Sequence, residues 1–221
     1  MRRLGCLTFV LLLLAGMLGL LDVFARTYTE RTIAEAIVHR SGGRVGAASV
    51  SISSLPYLWR LVGKGDIDHI DIALTELKVA QPVDAVDVHI DGLHMDRDAL
   101  LGESHVEIKA VDAVSLSVLV SASRLQALAD GLGVQLSFED GSVRFGGTRL
   151  DVAVNGGLLT VAGAGLDGVS VPIPAGDADV LPCQPSVAVH TEGVRLTCST
   201  DHVPKLLLDA IGSPSLQQLT G

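Results

Sequence analysis

Imidazole and carboxylate side chains crowd into two short segments. One runs Asp66-Ile67-Asp68-His69-Ile70-Asp71, the other His89-Ile90-Asp91-Gly92-Leu93-His94-Met95-Asp96-Arg97-Asp98. Imidazole and carboxylate donors this close together are what a transition-metal site uses, and oxygen donors alone would suit calcium. The acids do not follow the spacing of a calcium loop, and His89 and Asp91 fall on the wet side of a strand pattern. The expectation is a solvated acidic strand edge, which resists edge-to-edge pairing, and no metal. Nucleophilic catalysis has no frame either. There is no Gly-x-Ser-x-Gly elbow, Ser53 and Ser54 have no histidine close in sequence, and His105 with Glu107 would share a strand face instead of a helical H-E-x-x-H arrangement. The glycine pairs sit in turn contexts and precede no phosphate-binding helix. No catalytic residue and no cofactor are expected, although a hydrolase using Ser53 or Ser54 is a third, weaker reading.

The cysteines carry clearer chemistry. Cys6 precedes an apolar run instead of following it, which argues against a lipid-modified cysteine. Cys183 and Cys198 flank an alternating stretch with a Glu192-Gly193 turn. A disulfide would staple that hairpin and contribute about 3 kcal/mol in the chain-entropy model. A redox or metal role would need a CxxC spacing or a third ligand nearby, and neither is present.

A disulfide requires an oxidising compartment, and the N-terminus supplies the route. Arg2 and Arg3 precede an uncharged run from Leu4 to Leu21, roughly 27 Å of helix against a bilayer core of about 30 Å. Positive charge before the run keeps the N-terminus inside and sends the rest out. Val23-Phe24-Ala25 is an acceptable signal-peptidase site, but the run exceeds the length of a signal h-region, so a retained anchor is favoured over a cleaved signal. The expected organisation is a signal anchor or signal peptide over residues 1–25, one domain over 26–212, and a tail over 213–221.

Beyond residue 25 the chain keeps all but two of its 16 basic residues and all but one of its 25 acidic ones, a formal charge of −10. Such a surface excludes nucleic acid and a purely electrostatic grip on anionic head groups. Residues 23–40 are patterned as a helix, with Ile33, Ala34, Ile37 and Val38 on one face and Ser41-Gly42-Gly43 as its stop. Period two then dominates. Val50 and Ile52, Ile70 to Leu74, Val86 to Ile90, Val106 to Ala110, and Val114 to Val120 all alternate, as antiparallel strands with one dry face do. Ser121 or Ser123 caps a helix over 124–130 with Leu125 and Leu128 inward and Gly131 at its end. Strands resume from Val134, with turns at Glu139-Asp140-Gly141 and Asn155-Gly156. A last helix over 203–211 starts with Pro204 in its first turn and Asp201 as a cap. The two meanders on either side of the 124–130 helix suggest two halves, without a residue-level repeat.

One segment is irregular. Leu55-Pro56-Tyr57-Leu58-Trp59-Arg60-Leu61-Val62-Gly63 holds the only tryptophan and one of two tyrosines. Pro56 argues against a central strand, leaving a short helix or loop. An aliphatic sheet face beside a long helix can enclose a slot for acyl chains, each buried methylene being worth about 0.8 kcal/mol. Leu55, Tyr57, Leu58, Trp59, Leu61 and Val62 are the candidate lipid-contacting residues, with Tyr57 and Trp59 suited to an interface between wet and apolar surroundings.

The linear arrangement resembles the LmeA-like phospholipid-binding family of actinobacterial envelopes. The similarity lies in the apolar run leading into Glu30-Arg31-Thr32-Ile33-Ala34, in Leu55-Pro56-Tyr57-Leu58, in Gly65-Asp66-Ile67-Asp68-His69-Ile70-Asp71-Ile72, and in the junction from Val118-Leu119-Val120-Ser121 to Leu125. It extends from about Phe24 to Ile211. The disulfide pair and the Tyr57-Leu58-Trp59 aromatics, where a phenylalanine near Tyr57 would be expected, depart from the pattern. The resemblance implies an α+β tubular lipid-binding-like fold, a long N-terminal helix wrapped by a curved antiparallel sheet. It also implies a periplasmic protein that holds or shuttles phospholipid or glycolipid, such as phosphatidylinositol or its mannosides, in support of lipomannan-type synthesis. It supplies no catalytic residues. The expected partners are lipid and the cytoplasmic membrane. The competing reading is a non-enzymatic scaffold that stabilises an envelope glycosyltransferase.

Overall fold

The computed structural model describes residues 2–78, 83–102, 108–131, 133–155, 157–163, 166–172 and 183–201. The helix expected over 203–211 and the tail over 213–221 lie outside the described residues, as do His105 and Glu107.

The apolar run and the amphipathic stretch after it form one helix, α1 (Arg2–Arg40), of 39 residues. Its length is about 58 Å, roughly twice a bilayer core. Nothing interrupts it, because residues 22–40 contain neither glycine nor proline. It ends where Gly42 and Gly43 take left-handed φ values of 62° and 82°, as the glycine stop predicts. By length and composition α1 is able to cross a membrane.

The chain then folds into β1 (Val45–Ile52), β2 (Asp66–Leu77) and β3 (Ala85–Met95), a short helix α2 (Arg97–Gly102), and β4 (Ile108–Ser121). Helix α3 (Ala122–Asp130) follows, with the Ser121 hydroxyl accepting from the Arg124 N–H at 3.3 Å. Leu125 faces in, as expected. Leu128, expected beside it, is exposed, and Ala129 at i+4 from Leu125 takes the inner position. A second meander runs β5 (Leu136–Glu139), β6 (Ser142–Phe145), β7 (Thr148–Asn155), β8 (Leu158–Gly163) and β9 (Leu166–Pro172). The final hairpin is β10 (Ser186–His190) and β11 (Gly193–Thr200). It is closed by the Cys183–Cys198 disulfide at a Cα separation of 5.8 Å.

The architecture is α+β with a curved antiparallel sheet, as expected, but the two meanders are not equivalent halves. The last hairpin returns to the first meander and pairs β11 with β4, giving six strands in the order β1-β2-β3-β4-β11-β10. The second meander is a separate five-stranded sheet, β5-β6-β7-β8-β9. The main core comprises the inward side chains of the first sheet (Ile52, Ile72, Val88, Ile90, Val114, Leu116, Val118, Leu196) together with Ile37 of α1 and Leu159 of β8. A smaller cluster of Val143, Leu150 and Val161 lies within the second sheet, and Phe138, Val152 and Val189 pack against both.

Along β2 and β3 strict alternation fails at one level, and a local bend accounts for it. Ile70, Ile72 and Leu74 are buried at even positions, but Ile67 is buried at an odd one. On β3 the sequence Val88, Ile90 likewise changes to Leu93, Met95. The change falls between the paired rungs Ile67–Leu93 and His69–Asp91. Gly92 sits there with φ 59°, and a Cβ on it would run into the Asp112 carboxylate. A left-handed glycine within paired strands coils a sheet locally. Ala110, expected on the dry face, is exposed past this bend.

Candidate lipid-facing site at the helix–turn junction

The irregular segment is helical. A turn begins at Tyr57 and continues as a π-helical turn, Trp59–Lys64, ended by Gly65 at φ 78°. Glycine is required at that end, because a Cβ would stand 2.6 Å from the Met95 carbonyl. Helix starts leave N–H groups without partners. Here the carboxylate of Asp22, on α1, accepts them: Oδ2 from the Tyr57 N–H at 3.0 Å and Oδ1 from the Leu58 N–H at 2.6 Å. Asp22 is itself buried. Two further groups on the same flank of α1 complete the seam. Thr29 Oγ1 meets the Tyr57 hydroxyl at 3.1 Å, and Glu30 Oε1 accepts from the Ile52 N–H at 2.8 Å. The sequence reading missed all three. The available signal was Asp22 itself, one acid directly after an 18-residue apolar run.

This seam sorts the candidate residues. Tyr57 is 1% exposed and plugs the core; burial pushes its hydroxyl above its ordinary pKa, with the Thr29 hydrogen bond opposing and Glu30 and Asp22 adding to the rise. Leu58 and Leu61 are half-buried and pack against the main core. Leu55 at 69%, Trp59 at 68% and Val62 at 42% project outward. The Trp59 ring lies over Gly63, 3.6 Å from where a Cβ would stand. Arg60, between them, is paired with Asp68 of β2. Val23, Phe24 and Tyr28 of α1 are exposed too. Because Asp22 follows Leu21 directly, the apolar turn is pinned at the level where the uncharged run ends.

The inner face of the six-stranded sheet is filled with side chains among the described residues: Ile52, Val114, Val118, Val120 and Leu196 are all fully buried. Two open depressions, of about 420 and 380 Å³, lie on the opposite, polar face. That face carries the His/Asp segments. The strand register sets His69 opposite Asp91 and Asp71 opposite His89. Hydrogen bonding to Asp71 raises the pKa of His89, and bonding to His69 lowers that of Asp91. His94 is raised by Asp66 and, less, by Asp112. Lys109 holds Asp96 down at about 2. Ser54 is buried, and its hydroxyl lies 3.5 Å from Asp68 Oδ2.

Fold and junction together define an α+β protein in which a curved antiparallel sheet is stitched to the C-terminal half of one long helix, with apolar side chains exposed where the helix turns from uncharged to amphipathic. The chain belongs to the LmeA-like phospholipid-binding family, whose model matches residues 20–210. No curated protein and no solved structure matches it. The match opens two residues ahead of Asp22, so the carboxylate seam lies inside the span that defines the family. A lipid-binding role follows from that membership.

Proposed function

We propose that this protein is exported and retained at the outer face of the cytoplasmic membrane by α1, and that it binds phospholipid there without catalysing a reaction on it. The acyl chains lie along the apolar collar of Leu55, Trp59 and Val62, with half-buried Leu58 and Leu61 as its floor and Tyr57 positioning the turn from below. The lipids are phosphatidylinositol or its mannosides, held or passed on in support of lipoglycan synthesis. The observation that carries the reading is the Asp22 seam. It fixes three exposed apolar side chains, one of them the chain's single tryptophan, beside the end of a membrane-length run. Tryptophan favours that interfacial depth. Retention of the anchor follows the same logic, since cleavage after Ala25 would remove the carboxylate that caps the turn.

The test uses the full chain in vesicles. Trp59 fluorescence is expected to be quenched strongly by lipids brominated near the head group. Native mass spectrometry from detergent is expected to recover a bound phospholipid that Leu55→Asp with Val62→Asp releases. Unquenched Trp59 and lipid-free protein would overturn the proposal. Co-isolation with an envelope glycosyltransferase from crosslinked membranes in that case would favour the scaffold reading.

A further inference from the structure

The His/Asp segments become a different object once the strands are paired. His69-Ile70-Asp71 on β2 and His89-Ile90-Asp91 on β3 are the same tripeptide, and the antiparallel register lays one against the other so that each histidine faces an aspartate. Three electron-pair donors converge. Asp91 Oδ1 lies 2.5 Å from His69 Nδ1 and 3.1 Å from His89 Nε2. All three donor atoms lie within 4.8 Å of one another. The imidazoles stack with centroids 5.9 Å apart and planes 14° apart. With both rings neutral, His69 can donate its proton to Asp91, but His89 has one proton for two carboxylates, so a lone pair is left facing Asp71 or Asp91 unless a proton or a cation enters. With both rings protonated, two positive charges face each other across one carboxylate oxygen.

We propose that His69, His89 and Asp91 form a binding site for one divalent transition-metal ion of the zinc class on the outer face of the sheet. Tetrahedral zinc with bonds near 2.0–2.1 Å sets its donors about 3.3 Å apart, so small side-chain rotations bring the three into place. Two imidazoles exclude calcium and magnesium, which take oxygen. The support around the donors is that of a metal site: Asp71 engages Nδ1 of His89, which fixes the tautomer and leaves Nε2 for the ion. The donors sit on adjacent strands within a six-stranded sheet, so their backbones are rigid. The three side chains are 52%, 44% and 38% exposed, which leaves the fourth coordination position to water or to a ligand from a partner molecule. The neighbouring group lacks the second imidazole. His94 bridges Asp66 at 3.0 Å and Asp112 at 3.4 Å, much as His89 bridges Asp71 and Asp91, but among the described residues no other histidine completes a three-donor set with it.

The experiment is a calorimetric titration of the chelator-stripped full chain in detergent with zinc chloride, repeated with cobalt(II) to read tetrahedral absorption. One ion per chain is expected, with affinity lowered at least tenfold by His69→Ala, His89→Ala or Asp91→Asn and about tenfold by Asp71→Asn. His94→Ala should leave it unchanged. On the unaltered chain, zinc should move the ring resonances of His69 and His89 before those of any other histidine. No zinc uptake, uptake that survives the His69→Ala/His89→Ala pair, or an equal loss in His94→Ala would overturn the site.

Discussion

Carboxylates organise both the helix–turn junction and the outer face of the sheet, and the two places differ in what surrounds them. Asp22 is buried and holds backbone N–H groups that have no other partner. Asp71 and Asp91 are half-open to water and hold imidazoles. Removing a buried partner strands the groups left behind, at about 1–3 kcal/mol each. Exposed ion pairs compete with water and are worth about 0–1 kcal/mol. The junction is therefore architecture. The outer face is free to exchange its protons or to take up an ion without endangering the fold.

Tyr57→Ala is the most forceful way to break the junction. It empties the place of a fully buried aromatic and removes the hydroxyl paired with Thr29. The expected loss is about 3–5 kcal/mol, measured by denaturant unfolding of the full chain in detergent, and a loss below about 1 kcal/mol would mean Tyr57 is not a plug. Asp22→Ala comes next. Two orphaned N–H groups, the Leu58 one only part-buried and so near the low end of that range, should cost about 2–3 kcal/mol together, and protease should then cut between Leu55 and Lys64 faster than elsewhere. Stability equal to the unaltered chain would dissolve the contrast between the two carboxylate sets. Gly92→Ala addresses the bend that separates the His/Asp face from the rest of β3. The left-handed φ of 59° costs an alanine about 1–2 kcal/mol; the exposed Asp112 carboxylate can rotate away, but its Cβ, 2.8 Å from the new methyl, cannot, so the backbone there must also shift. A larger loss would show that the bend cannot relax.

Much of the fold was legible because alternation is a local signal. Ile70 to Leu74 and Val114 to Val120 announced their dry face, and the cysteine pair announced its hairpin. What local pattern does not encode is pairing at a distance. The return of β11 to β4 spans more than seventy residues of intervening chain, and nothing in either strand specifies the other. The candidate site shows the same limit at closer range. Tyr57 and Trp59 are two residues apart and equally aromatic, yet one is core and the other solvent-facing, because the Asp22 cap fixes how the turn is rotated. Each His-x-Asp tripeptide was visible singly. Their union depends on strand register, which places His69 against Asp91 and not one residue away.

The smallest effect lies in the pH dependence of the outer face. The folded pKa of His89 is raised by Asp71, and that of His94 by Asp66. A raised histidine stabilises the fold fully below its unfolded value of 6.5, and the contribution fades as pH climbs through the folded value. Asp91 is lowered by His69, so its contribution is present above its unfolded value of 3.8 and lost as pH falls through the folded one. The pairs therefore act together at mildly acidic pH. For metal-free protein held with a chelator, stability should decline by less than about 1 kcal/mol between pH 6 and pH 8. His89→Gln with His94→Gln should flatten that decline while leaving the Asp22 junction untouched. A rise in stability over the same range, or an equal decline in the double variant, would take these histidines out of the pH response and leave the buried junction as the only carboxylate set that matters to folding.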